Sequence, residues 1–137
     1  VAVRDFGDCG LPSTFGASIE ALRRMFNSLL FDLERSSPDA IVIELSAGVC
    51  RREADAVLVA PWFAQNVDRM LIDASDAVSL HRCIGTSREQ GLRVAAVAGS
   101  IGNDMSAMDD ATGKNGLRVL SQRELQDPSV LTPLFFS

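Results

Sequence analysis

The stretch Pro38-Asp39-Ala40-Ile41-Val42-Ile43-Glu44-Leu45-Ser46-Ala47-Gly48 is an apolar run bounded by a proline and a glycine. The run is too short for a helix and rich in Ile and Val, which is typical of a strand buried on both faces of a parallel sheet. Glu44 lies near its carboxyl end. Open α/β sheets bind ligands outside the carboxyl ends of their strands, so the stretch predicts a phosphate or metal site there.

Segments on either side of this run extend the pattern along the chain. Further strands are predicted at 1–6, 68–73, 93–98 and 117–120, and helices at 18–36, 51–60, 75–85, 105–112 and from Pro128. The alternation of strands and helices is the pattern of βαβ units. The predicted fold is therefore α/β, a three-layer Rossmann-like sandwich with a mostly parallel sheet of about five strands. The 137 residues predict a single domain, 1–137.

Composition limits the classes of function. The net charge of −5 and a single lysine, Lys114, argue against a nucleic-acid partner. No apolar run approaches the ~20 residues of a membrane span, so no membrane association is expected. The three cysteines Cys9, Cys50 and Cys83 are odd in number and widely spaced, which favours a reducing, cytoplasmic location over a disulfide framework or a zinc motif. The chain begins at Val1 and runs directly into a strand-like segment, which indicates a fragment of a longer protein.

Two acids are candidates for catalysis and for holding a metal ion. Glu44 could coordinate Mg²⁺ or orient an attacking water, as phosphoryl-transfer sites require of an acid in that place. The alternative is that Glu44 caps the following turn or pairs with an arginine. Asp8, in the glycine-rich loop after the first predicted strand, is the second candidate, and its alternative is a turn aspartate that accepts local amides.

Other residues are candidates for contacts with a bound cofactor. Ser13 and Thr14 could contact phosphate or metal, or could serve as local caps. Arg51 and Arg52 could neutralise a phosphate, because a guanidinium fork suits its oxygens, or could be solvated surface residues. Gly99 and Gly102 lie in a strand-to-helix loop whose amides could hold an anion, or which is a plain tight turn. The sequence contains no complete phosphate-loop, G-x-G-x-x-G or G-x-S-x-G signature.

Two stretches resemble a known family. They are Asp5-Phe6-Gly7-Asp8-Cys9-Gly10-Leu11-Pro12-Ser13-Thr14-Phe15-Gly16, and the Asp39 to Gly48 stretch with the Arg52-Glu53 pair that follows it. Together they resemble the later part of bacterial P-loop NTPase-like proteins related to dethiobiotin synthetase. The resemblance implies magnesium-dependent nucleotide binding and phosphoryl transfer. It also implies that the Glu44 segment is the Walker B strand, and that the loop from Asp8 to Thr14 lies in the switch or substrate region.

The sequence departs from that family at one decisive feature, the phosphate loop, which would precede residue 1. Without its lysine and amide cradle, this chain alone is not expected to bind ATP or Mg²⁺ tightly and is at most part of an ATP-dependent enzyme. The implied partners are the missing N-terminal segment, another subunit, or a second copy in a homo-oligomer. The resemblance implies that the strand preceding the phosphate loop lies inside the sheet, next to the Glu44 strand. In the isolated chain, we expect residues 40–45 to pair with 69–73 across the place of that strand, or a neighbouring molecule to fill it.

Two further functions remain open from the residues themselves. One is a non-catalytic Rossmann-like interaction or oligomerisation module that uses an exposed sheet edge or an apolar helix face. The other is a small-molecule or dinucleotide binder that uses the loop from Gly99 to Gly102.

Overall fold

The chain is an α/β protein that divides into two units, Val1–Val57 and Leu58–Ser137. The computed structural model describes residues 2–10, 13–45, 52–103, 109, 112–113 and 115–136. The single domain predicted from the length of the chain stays a prediction.

The first unit is built from helices. A 3₁₀ helix, Phe6–Cys9, is followed by α1, Ile19–Glu34, and then by α2, Arg52–Leu58, at the boundary of the units. The helix predicted from residue 18 is confirmed, and Ser18 is its N-cap because the Ser18 hydroxyl accepts the backbone N–H of Ala21 at 3.2 Å. The buried face of α1 contains Leu22 and Phe26, one turn apart.

The strands predicted at 1–6 and 40–45 are absent from the described residues of these segments, 2–6 and 40–45. Phe6 begins the 3₁₀ helix, and residues 2–5 and 40–45 have no regular secondary structure. Val42, predicted to lie inside a sheet, is 92% exposed, and Val3 is 77% exposed. Strand propensity depends on packing against neighbouring strands, so an Ile/Val run without such neighbours does not become a strand by itself. The expected pairing of 40–45 with 69–73 is likewise not among the described strand pairs.

The second unit contains a parallel sheet of three strands. They are β1, Met70–Asp73, β2, Val94–Ala98, and β3, Arg118–Val119, in the order β1-β2-β3. These strands confirm the predictions at 68–73, 93–98 and 117–120. Ile72 pairs with Val97, and Val97 with Val119, while a register shift after Met70 leaves one extra residue in β2. The central strand is the most deeply buried, since Ala96 and Val97 are fully inaccessible to solvent.

The described part of the second unit also contains the α-helices α3, Pro61–Ala64, α4, Ala77–Glu89, and α5, Pro128–Phe135, and the 3₁₀ helices Ser100–Asn103 and Glu124–Gln126. Helix α4 joins β1 to β2 along the chain and contacts β1, and α5 contacts β2. Within the described residues, no helix combines the length and the apolar character needed to cross a bilayer.

The ends of α4 differ from the prediction. Its N-cap is Asp76 and not Ser75, because the Asp76 carboxylate accepts the backbone N–H of Ser79 at 2.8 Å. The helix continues past Gly85 to Glu89, and the left-handed Gly91, at φ +72°, follows it. A glycine inside a helix costs only about 1 kcal/mol, which the packing of the rest of α4 offsets.

Glu124 stabilises the turn after β3 by bonds that require its charged form. Its carboxylate accepts the backbone N–H of Ser121 at 2.9 Å and the Ser121 hydroxyl at 2.7 Å, and it pairs with Arg118 at 2.7 Å. These bonds lower the pKa of Glu124 from 4.5 to about 2, and the backbone bond from Ser121 has the largest effect.

The lowered pKa of Glu124 predicts a dependence of stability on pH. The stabilisation that the charged Glu124 carboxylate gives the folded state is complete above the unfolded-state pKa of 4.5. It is lost as the pH falls from there through about 2, because protonation of the carboxylate then weakens these bonds. We expect the difference in free energy of unfolding between wild type and Glu124→Gln to shrink over this range. Urea titrations at a series of pH values measure it, and a constant difference would contradict the prediction.

Candidate functional site

Asp8 lies in the cap of the first 3₁₀ helix. Its Oδ2 atom accepts the backbone N–H of Asp5 at 2.8 Å, while Oδ1 of Asp5 accepts the backbone N–H of Gly7 at 2.7 Å. The two aspartates therefore form a reciprocal capping box. This is the structural alternative that the sequence left open for Asp8. The carboxylate is exposed and retains its second oxygen, Oδ1, for a ligand.

Glu44 lies in the irregular segment 40–45 and is exposed. Its expected position at the end of an inner strand is therefore not present in the structure. Of the two arginines that could pair with it, Arg51 lies outside the described residues and Arg52 is the first residue of α2. The carboxylate of Glu44 is therefore accessible to solvent and to a ligand.

Ser13 and Thr14 belong to a folded turn that leads into α1. The Ser13 hydroxyl accepts the backbone N–H of Phe15 at 3.1 Å, and the carbonyl of Thr14 accepts the backbone N–H of Ala17 at 3.1 Å. Ser13 thus has the local capping role that the sequence weighed against a phosphate contact. The structure also shows a longer connection, since the backbone N–H of Gly16 donates to Oε1 of Glu53 at 2.8 Å.

The contact between Gly16 and Glu53 brings two predicted stretches together. Gly16 ends the first stretch that carries the family resemblance, and Glu53 follows Arg52 at the end of the second. Sequence reasoning did not single out Glu53 as a functional residue. The available signal was its place in the Arg52-Glu53 pair, but nothing in its spacing indicates a bond to an amide 37 residues earlier.

Gly99 and Gly102 belong to the second unit, where Gly102 lies in the 3₁₀ helix Ser100–Asn103 after β2. Gly99 has φ +104°, and a Cβ there would overlap Oδ1 of Asp73 and the carbonyl oxygen of Ala74. The loop is bonded to the end of β1, because the Ile101 N–H donates to the carbonyl of Ala74 at 3.2 Å. Close packing between two loops accounts for the glycine at position 99 without a ligand.

Asp73 is a carboxylate at the carboxyl-terminal edge of the sheet, and sequence reasoning did not select it. It is the last residue of β1, it is exposed, and it lies against Gly99 at the end of the neighbouring strand. The available signal was its position as the final residue of a predicted parallel strand. Asp76 nearby has a different role, because it is the N-cap of α4. The bonds that its carboxylate accepts from the backbone N–H and the hydroxyl of Ser79 lower the pKa of the carboxyl.

The predicted acids do not form a metal-binding cage. Among the described residues, no group of three or more His, Cys, Asp or Glu side chains could hold a metal ion. Mg²⁺ usually needs only one or two protein carboxylates and takes its other ligands from phosphates and water. The described residues therefore fit magnesium as an ion that arrives with a phosphate ligand.

No family model matches the chain, and neither a curated protein nor a solved structure matches it. The family resemblance accordingly depends on the residues quoted for it.

Proposed function

We propose that the chain is the C-terminal portion of a P-loop NTPase-like protein and contributes to magnesium-dependent binding of a nucleotide. The observation that supports this most directly is the parallel unit β1-α4-β2, whose strands pair side by side. Nucleotide-binding α/β proteins are built from such units and bind ligands at the carboxyl ends of the strands. The resemblance of the first unit to P-loop NTPases supplies the more specific part of the proposal.

In this proposal the first unit carries the residues that meet the phosphates. Glu44 and the free oxygen of Asp8 are the carboxylates for magnesium or for the attacking water. The Ser13 and Thr14 hydroxyls and the Arg52 guanidinium contact phosphate oxygens. Magnesium, when bound with the nucleotide, would neutralise phosphate charge that these few side chains cannot balance alone.

The proposal is tested by nucleotide binding to the full-length gene product. We expect ATP with Mg²⁺ to raise its unfolding temperature, with a stabilisation of about 2.7 kcal/mol when the nucleotide is present at 100 times its Kd. Glu44→Gln should remove most of this effect, because the amide cannot replace a carboxylate toward magnesium. The 137-residue chain alone should show little or no shift. A thermal-shift titration of the three proteins measures the effect.

The matched control for Glu44→Gln is Glu20→Gln, which neutralises another exposed glutamate of the same unit, in the first turn of α1. The control should keep the nucleotide response. A full-length wild-type protein that ignores ATP and Mg²⁺ would overturn the proposal, and so would a Glu44→Gln protein that responds like wild type.

A further inference from the structure

Strand β1 forms one edge of the described sheet. The order of the strands is β1-β2-β3, so among the described strands β1 pairs with β2 alone. An edge strand presents a row of backbone N–H and C=O groups that can pair with a strand of another chain. The outer edge of β1 is therefore a surface to which a further strand can be added.

The hydrogen bonds between β1 and β2 show which residues direct their backbone outward. Met70 and Ala74, at the two ends of the strand, donate their N–H groups toward β2 at 2.8 and 2.9 Å. The direction of the backbone groups alternates along a strand. Arg69, Leu71 and Asp73 consequently direct their N–H and C=O groups away from β2, toward the outer edge.

The side chains of these three residues share one face of the sheet, because side chains also alternate along a strand. Leu71 is 38% exposed and Asp73 is exposed, whereas Ile72 between them is buried at 2%. Arg69, just before the strand, is half-buried. The face along the edge thus presents a positive, an apolar and a negative side chain in that order. Reversal of the strand places the positive side chain opposite the negative one, so the pattern is complementary to itself.

Antiparallel pairing of two copies of β1 has one favourable register. A two-fold axis at Leu71 places the two Leu71 residues opposite each other, and Arg69 of each copy opposite Asp73 of the other. All of these are hydrogen-bonded pairs, since each of the three residues directs its backbone outward. Opposite charges directly across two strands stabilise the pairing, and like charges destabilise it. An axis at Arg69 or at Asp73 would instead place like charges opposite each other.

We infer that the outer edge of β1 is a self-association surface, and that its occupant is a second copy of this chain, paired antiparallel about Leu71. The inference needs no nucleotide and is independent of the proposed function. Under the family resemblance the strand before the phosphate loop belongs at this edge, so the second copy takes its place in the 137-residue chain. Because β1 has only 4 residues, the paired edges bury less than the about 1,200–2,000 Å² of a stable interface, and we expect a weak dimer.

The inference is tested by sedimentation equilibrium of the 137-residue chain over a concentration series. The mass should rise from 14.7 kDa toward twice that value as the concentration reaches about 0.1–1 mM. Leu71→Asp places two carboxylates opposite each other at the axis and should raise the Kd at least about tenfold. Arg69→Asp and Asp73→Arg should each weaken the dimer by a similar factor. The double variant exchanges the two charges and should restore the Kd to within about threefold of wild type.

The control is Val78→Asp, which adds the same charge at a position of α4 that is 80% exposed, and it should dimerise like wild type. Circular dichroism and urea unfolding establish which variants are folded, and the Kd values of the folded ones are compared. A wild-type chain that stays monomeric at about 1 mM would overturn the inference. Growth beyond the dimer would also overturn it, because two-fold pairing closes. A dimer that folded Leu71→Asp leaves intact would exclude the edge of β1, and a double variant weaker than both single variants would exclude the register.

Discussion

Replacing Gly99 with alanine is expected to destabilise the second unit by about 3 kcal/mol. The left-handed φ of +104° costs a residue with a side chain about 1–2 kcal/mol, and forced overpacking adds about 1–3 kcal/mol. The new Cβ would overlap the carbonyl oxygen of Ala74 and lie 3.0 Å from its nitrogen. Ala74 cannot retreat easily, because its N–H donates to Ala98 at 2.9 Å and its carbonyl accepts Ile101 at 3.2 Å.

Gly91 provides the matched control for this experiment. It also has a left-handed backbone, at φ +72°, but nothing lies within 4 Å of its Cβ position. Gly91→Ala should therefore cost only the conformational part, about 1–2 kcal/mol. Urea unfolding followed by the fluorescence of Trp62, the single tryptophan and a residue of the second unit, measures both variants. Equal losses would show that the contact with Ala74 is not as tight as the structure indicates.

The second unit was predictable because its elements carry their own signals and pair in chain order. β1 and β2 are short runs of apolar residues, and each finds its neighbour as the next strand along the chain. The end of α4 was mispredicted at Gly85 because a glycine is a common helix terminator. The helix nevertheless continues for another turn, in which Ser87 is buried like Leu80, Cys83 and Ile84 before it.

The first unit was less predictable for a physical reason. The Ile/Val run at 40–45 has the composition of an inner strand, but strand formation also requires partners on both sides, which composition does not supply. Val42 is 92% exposed as a result. Helix α1 was predicted correctly because a helix satisfies its own backbone hydrogen bonds and needs only one face covered.

The residues of the candidate site show the same difference between local contacts, which the sequence predicts, and contacts between distant segments, which it does not. Local roles could be predicted, and Asp8 and Ser13 have the capping contacts that their residue types favour. Roles that depend on residues distant in sequence could not. The bond between Gly16 and Glu53 and the approach of Asp73 to Gly99 both join separate segments, and a single sequence contains no direct signal for either pair.

Leu80→Ala is expected to destabilise the second unit by about 2–5 kcal/mol, because it removes buried methyl groups and leaves a cavity. Leu80 is 2% exposed and lies on α4, which packs against β1. The control is Val78→Ala on the same helix, where Val78 is 80% exposed and the change should stay within about 0.5 kcal/mol. Leu and Val differ in helix propensity by only about 0.5 kcal/mol, which is small beside the loss expected at Leu80, so the comparison mainly reports burial. Urea unfolding followed by Trp62 fluorescence and circular dichroism measures it, and losses of similar size would contradict the packing of α4 on the sheet.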